Sequence, residues 1–157
     1  MNARIKEVFV AIKADLSEPA SEDEILQAEK RLAITFPSEL RNFYRLCNGF
    51  QRPANEWMWN FWPLPELKTM KDCGGTASFE VEELSSEFDP AKIILFADVM
   101  IDAPVYVFLC DPHSPHHEWV FADQGGESFV SARSMEEFFS NFCNHHDDIL
   151  LFPKEHK

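Results

Sequence analysis

Two histidine clusters are the first residues to test for chemistry. His113, His116 and His117 follow closely on Cys110 and Asp111, and His145-His146-Asp147-Asp148 forms a second group. Imidazole, thiolate and carboxylate groups ligate zinc and similar ions, but on a helix they need i, i+4 placement, or otherwise a tight Cys/His knuckle. His113-Ser-Pro-His116-His117 falls instead in a proline-punctuated turn, where histidines read as solvated loop side chains. No metal ligand set is assigned. Nucleophilic and nucleotide chemistry fare no better. The chain has no Gly-x-Gly-x-x-Gly or Gly-x-x-x-x-Gly-Lys loop, and its five glycines leave little backbone to cradle phosphates. Gly125-Gly126-Glu127-Ser128 lacks the trailing glycine and the strand-to-helix frame of a nucleophile elbow. Carboxylates are plentiful enough for a two-acid hydrolase, yet their number alone makes chance pairs, and nothing singles one out. The sequence therefore reads as non-catalytic, with no cofactor.

What the acids do offer is a field. The formal net charge is −13, and residues 1–71 contribute nothing to it, holding ten basic and ten acidic side chains. Residues 72–157 hold seventeen acids against Lys92, Arg133, Lys154 and Lys157. Such a field repels phosphate backbones, which disfavours direct nucleic-acid binding, and it accelerates association with a basic protein surface. The alternative is that the acids only keep an aromatic-rich domain soluble.

The elements that would carry these residues fit one domain over 1–157: the length suits a single core, and 45% apolar residues with 15 Phe and 4 Trp can fill it. The longest apolar runs, such as Ile93–Ala97, are far shorter than a bilayer span, and no apolar stretch follows Arg4, Lys6 and Glu7 as a secretory signal requires. A cytoplasmic location is the expectation. Cys47, Cys73, Cys110 and Cys143 form no Cys-x-x-Cys pair and read as buried free thiols.

Apolar residues at Ile5, Val8, Phe9, Ile12 and Leu16 predict a first helix over 3–16. Ser21-x-x-Glu24 predicts a capping box opening a second helix to about Leu32, with Ile25, Ala28, Glu29 and Leu32 inward. Pro37 belongs to the first turn of a third, with Leu40, Phe43, Tyr44 and Cys47 inward and Asn48-Gly49 as its left-handed exit. Trp57 to Trp62 reads as an extended segment, 68–75 as loop, and Phe79–Glu82 as either a short strand or part of a helix. Strands follow at Ile93–Phe96, Val105–Cys110 and Glu118–Ala122, with a last edge strand at Phe129–Ser131. Val105–Cys110 is apolar on both alternating faces, which marks a central strand covered on each side. Ser134-x-x-Glu137 predicts a second capping box opening a closing helix with Met135, Phe138, Phe139 and Phe142 inward, and 150–157 reads as a loose tail. The fold class is α+β: an antiparallel sheet of about four to six strands, with N-terminal helices and a C-terminal helix packed against it.

The stretch Ile25-x-x-x-Glu29-x-x-Leu-x-Ile-x-Phe36-Pro37-x-x-x-x-x-Phe43-Tyr44-x-Leu46-x-Asn48-Gly49 resembles the N-terminal signature of the SUKH superfamily. That superfamily includes the Smi/Knr-type fungal cell-wall regulators and many bacterial proteins. The later parts agree in order, from the Trp-rich segment through strands near Ile93, Val105 and Trp119 to the Ser134-led helix, so the likeness spans roughly residues 20–143. Ala97-Asp98 stands where the family often has Gly-Asp. The resemblance implies a non-catalytic protein-binding domain, and for bacterial members an immunity protein that neutralises a secreted toxin, often a nuclease.

Charge and resemblance converge on a basic protein partner, a cognate toxin, with no direct nucleic acid and no membrane, and on a monomer or weak homodimer. A nuclease holds phosphates with Lys and Arg, and an acidic surface competes for the same side chains. The candidate contacts are Asp98, Asp102, Asp111, Glu118, Asp123 and Glu127, then Glu80, Glu82 and Glu83, with Trp57, Trp59 and Trp62 as aromatic anchors if they are not core. The rival reading is a regulatory scaffold for an endogenous protein, as in the fungal relatives.

Overall fold

The Ser21 capping box forms as its spacing predicts, and it starts helix α1 (Glu22–Leu32). Ser21 Oγ accepts from the Glu24 amide at 3.3 Å, while Glu24 Oε2 accepts from the Ser21 amide at 2.7 Å. Ile25, Ala28, Glu29 and Leu32 are its buried residues, the four that periodicity puts inward. Helix α2 (Ser38–Leu46) buries Leu40, Phe43 and Tyr44. Pro37 precedes the helix as its capping residue and lies outside the first turn.

These helices are joined by a carboxylate. Glu29 is only 9% exposed, and its Oε1 accepts from the Phe36 amide at 2.7 Å and from Arg41 Nε at 3.0 Å. Arg41 Nη2 donates to Glu29 Oε2 at 2.6 Å and Nη1 to Glu22 Oε1 at 2.7 Å, with Arg45 also on Glu22. A buried carboxylate is tolerable only when hydrogen-bonded and paired in this way.

The structure is a computed structural model that describes residues 15–51, 59–73, 88–99, 105–124 and 127–144. Most of the helix expected over 3–16, the Phe79–Glu82 segment and the 150–157 tail lie outside them. Asp15–Leu16 forms strand β1, contrary to the helical expectation, because it pairs with β2 (Phe50–Gln51). The further strands are β3 (Trp59–Phe61), β4 (Lys68–Thr69), β5 (Ile93–Val99), β6 (Val105–Leu109), β7 (Val120–Gln124) and β8 (Glu127–Ala132). They form one sheet in the order β1-β2-β3-β5-β6-β7-β8, with β4 also on β5 and every pairing antiparallel. Segment 68–69, expected as loop, becomes β4 through Lys68↔Leu95 and Thr69↔Ile94. Strand β7 starts two residues later than expected, since Glu118 closes the preceding turn at φ 70.

Both faces of the sheet are apolar. Ile94, Phe96, Tyr106, Phe108, Val120 and Ala122 join the helices in the larger core, and Met70, Ile93, Leu95, Val107, Leu109 and Phe121 form a second cluster on the other, outer face. Strand β6 thus contributes to both, as its sequence predicts. Helix α3 (Met135–Asn144) buries Met135, Phe138, Phe139 and Phe142 against the helix-side face. Its cap is only half the expected box. Ser134 Oγ accepts from the Glu137 amide, but Glu137 Oε2 accepts from the Arg133 amide. Phe61 links sheet and helix, stacking on Phe50 at 4.3 Å and on Phe139 at 5.5 Å.

The Asn48-Gly49 exit differs in detail from expectation. Helix α2 ends in an extended Cys47, and the left-handed residue is Gly49, at φ 81. A Cβ there would sit 2.5 Å from the Phe61 carbonyl oxygen and 2.8 Å from the Pro63 nitrogen, so only glycine lets these backbones meet. Asn48 Oδ1 accepts from the Leu64 amide at 2.8 Å and Tyr44 Oη donates to the Trp62 carbonyl at 2.9 Å, fixing the same junction. Gly49→Ala is expected to destabilise by more than about 2 kcal/mol, because the left-handed penalty of about 1–2 kcal/mol adds to a backbone clash. Urea unfolding midpoints check this; a change under about 0.5 kcal/mol would show that the junction opens freely.

Candidate docking surface

Residues 93–132, which run from the start of β5 to the end of β8, contain six acids and not one Lys or Arg. Antiparallel register decides where the acids on strands sit. Asp98 pairs with Asn60 on β3 and Val105 on β6, and Val105 pairs in turn with Asp123 on β7, which pairs with Ser128 on β8. Directly opposed residues share a face. Asp98 and Asp123 are therefore brought into one row, separated by Val105, on the outer face that also carries Leu95, Val107 and Phe121.

Asp98 does not behave as a solvated acid. It is 7% exposed, and its Oδ2 accepts from Trp62 Nε1 at 2.7 Å. The cause is a register shift between Leu95 and Ala97. The shift lets both Phe96 and Ala97 join the helix-side core and turns Asp98 to the outer face beneath the indole. Burial removes Asp98 from the set of solvent-facing contacts. Asp123 is half-buried, and its Oδ1 is enclosed without a hydrogen-bond partner.

Asp111 and Glu118 lie at the opposite end of the sheet, in the connection from β6 to β7. Asp111 Oδ1 accepts from the His113 amide at 3.0 Å, and the Glu118 amide donates to the Leu109 carbonyl. Glu127 opens β8, with only its backbone described. Asp102, Glu80, Glu82, Glu83 and Trp57 lie outside the described residues, as does the side chain of Trp59. Trp62 is half-buried and engaged with Asp98.

A second acidic grouping was not legible in the sequence. Glu39, on α2, accepts the Met135 amide at 2.6 Å and so caps α3 from 96 residues away. Burial pushes the Glu39 carboxyl above its ordinary value, and the nearby Glu118 and Glu136 push it further, against the Met135 and Glu136 amides that favour its charge. No local pattern connects position 39 with position 135, so only the tertiary fold reveals the cap.

The histidines are not simply solvated. His113 is exposed, but His116 and His117 are half-buried with enclosed, unpartnered Nδ1 atoms, and His116 packs edge-on against Trp119 at 4.3 Å. Among the described residues no three His, Cys, Asp or Glu side chains gather as a metal would require. The second histidine cluster is outside those residues. Cys47 and Cys110 are buried, and burial pushes the Cys47 thiol up to about 12 and raises Cys110 as well. Cys73 is exposed, contrary to expectation, because it lies in the turn after β4. A cavity of about 520 Å³ beside Asp98 has Arg31, Lys68, Glu66 and Asn60 in its lining, and two cations there balance two acids. No helix among the described residues is long and apolar enough to cross a membrane.

The family model described as SMI1 / KNR4 family (SUKH-1) matches residues 19–141, a span that includes α1, α2, strands β2 to β8 and α3 as far as Asn141. The chain belongs to the SMI1/KNR4 family. Membership in SUKH-1 supports a protein-binding or immunity-type domain in general, and a comparison with curated proteins finds no match. The signature residues of this SUKH-1 chain have structural duties: Glu29 ties α1 to α2, and Gly49 admits the backbone of 61–63.

Glu39 sets a pH dependence of known sign. Its raised carboxyl binds a proton more tightly in the folded chain than in the unfolded one, so this contribution favours folding at low pH and fades as pH rises through the folded value. Glu24, lowered by its Ser21 hydrogen bonds, works oppositely and is lost as pH falls. The stability of the native protein relative to Glu39→Gln is expected to fall as pH is raised from about 4.5, the ordinary value. Urea titrations between pH 4 and 7 measure it; a difference that grows with pH would refute the assignment.

Proposed function

We propose that this SUKH-1 chain is a non-catalytic immunity protein, acting in the cytoplasm as a monomer or weak homodimer to neutralise a basic toxin, one rich in Lys and Arg such as a nuclease. The observation that carries this is the charge layout. Residues 93–132 have six acids and no basic residue, whereas Arg31, Arg41 and Arg45 in the helical half are spent on the Leu64 and Leu67 carbonyls, Glu29 and Glu22. The acids of 93–132 that remain toward solvent are the ones assigned to a partner's cations. Asp123 and Glu127 are the contacts assigned to one end of the strands and Asp111 and Glu118 to the other, with Asp102, Glu80, Glu82 and Glu83 assigned from their charge in the sequence. Asp98 acts indirectly, by holding Trp62.

A field of this kind steers encounter and selects partner more than it adds affinity, and an acidic cover over a nuclease's basic groove competes directly with phosphate. The chemistry required of the protein is therefore none beyond docking. Tight binding needs an apolar centre as well, and the outer face supplies half-buried Val105 and Val130 for it, beside Trp119, whose ring lies under the Arg133 guanidinium.

Co-production with the protein encoded beside this gene tests the proposal. Cells making that neighbour are expected to survive when this chain is present, and the double variant Asp102→Lys with Glu127→Lys should lower survival at least about tenfold, as loss of a like-for-like charge match predicts. Unchanged killing, together with co-purification of this chain with a housekeeping complex, would replace immunity by the regulatory-scaffold reading.

A further inference from the structure

We infer that the cleft beside Asp98 receives the C-terminal residue of the protein partner, a Lys or Arg that supplies an α-carboxylate, a backbone N–H and a side-chain cation together. This rests on the reading above of a docking module for a basic protein, and it adds a contact outside the acids assigned there. An enclosed amide oxygen points to the site. Asn60 is the middle residue of β3 and pairs with Asp98 on β5, so the two share the outer face. Its Oδ1 is enclosed and accepts no hydrogen bond. Leaving a buried acceptor unmade is costly, and such atoms are nearly always satisfied, so this one calls for a donor from outside the chain.

Charges of both signs border the same cleft, whose volume is about 520 Å³. Arg31 and Lys68 are the cations and Glu66 and Asp98 the acids, and no ion pair among the described residues contains Arg31, Lys68 or Glu66. Arg31 is fixed in place. Its Nη1 and Nη2 donate to the Leu67 and Leu64 carbonyls at 3.0 and 2.8 Å, which occupies two of the five N–H donors of a guanidinium. Donors held in this way suit a carboxylate, and the exposed Lys68 adds a second positive charge. Glu66 is exposed as well, and Asp98, tied to the Trp62 indole, adds to the negative field. A ligand of one sign would meet its like on part of this wall, whereas a ligand carrying both meets each charge with its opposite. A chain that ends on Lys or Arg carries both, and the N–H beside its carboxylate is the donor that Asn60 Oδ1 lacks. A neighbouring cavity favours a chain end over a free amino acid. It has a volume of about 360 Å³ and shares Asn60 and Glu66 with the first, which leaves room for preceding residues. The net charge of −13 then selects a basic chain to bring there.

Isothermal titration calorimetry and amide NMR shifts on the full chain test this at low ionic strength, with acetyl-Ala-Ala-Lys bearing a free carboxylate, its C-terminal amide and free lysine as probes. The free-carboxylate peptide is expected to bind at least about tenfold more tightly than either of the others and to shift the amides of 60–68 and of Asp98. Lys68→Glu, at an exposed position, should lower that affinity at least about tenfold with the unfolding midpoint little changed, and Asn60→Leu should do the same where it folds. Equal affinity for the amide would overturn chain-end recognition, and free lysine binding as tightly as the peptide would overturn it in favour of a small-molecule site. No shift at 60–68 with any probe, or shifts there that Lys68→Glu leaves intact, would overturn the cleft assignment. Acidic docking stands or falls separately, on the survival of cells carrying Asp102→Lys with Glu127→Lys.

Discussion

A buried carboxylate governs how charge is distributed in this protein. Glu29 lies beneath the α1–α2 junction, where it accepts the Phe36 amide and two nitrogens of Arg41. Removing one partner of such a pair typically costs about 3–5 kcal/mol, so Arg41 is committed to it. Arg41 and Arg45 also clamp Glu22, and Arg31 caps the carbonyls of 64 and 67. The three ion pairs among the described residues all lie between α1 and α2. Arg31, Arg41 and Arg45 are thus engaged within the helical half and at its junction with residues 64–67.

The sheet can bear that field because its stability comes from elsewhere. Strands β5 and β6 are apolar on both faces, and a set of phenylalanines centred on Phe61 joins the sheet to α2 and α3. Acids then occur mainly at strand ends and connections, where they cost the core little. Asp98 and Asp123, within β5 and β7, are exceptions, and the burial of Asp98 is offset by the Trp62 indole donor. Among the described residues the sheet runs from the two-residue β1 to the six-residue β8.

Much of this was legible in the residues themselves. The Ser21-x-x-Glu24 box, the inward sets on α1 and α3, and the two-faced apolar β6 follow from period and capping chemistry that act within one element. What escaped depends on partners distant in sequence. Two-residue strands such as β1 and β4 carry no period and exist only because Phe50 and Leu95 stand opposite them. A single inserted residue near Phe96 changed the face of Asp98, and no composition signal marks such a bulge. The Glu39 cap on α3 and the half-burial of His116 against Trp119 are likewise products of packing. Of the nine acids assigned to docking, the strand register aligns Asp98 with Asp123 and separates both from Asp111 and Glu118.

The proposed electrostatic steering by the sheet half is tested most directly by the salt dependence of association with the toxin proposed as partner. Stopped-flow association rates are expected to fall at least about tenfold between low and physiological ionic strength, while dissociation changes little. A rate that stays flat across that range would mean that the acids of the sheet half do not guide the encounter, and would contradict docking through their field.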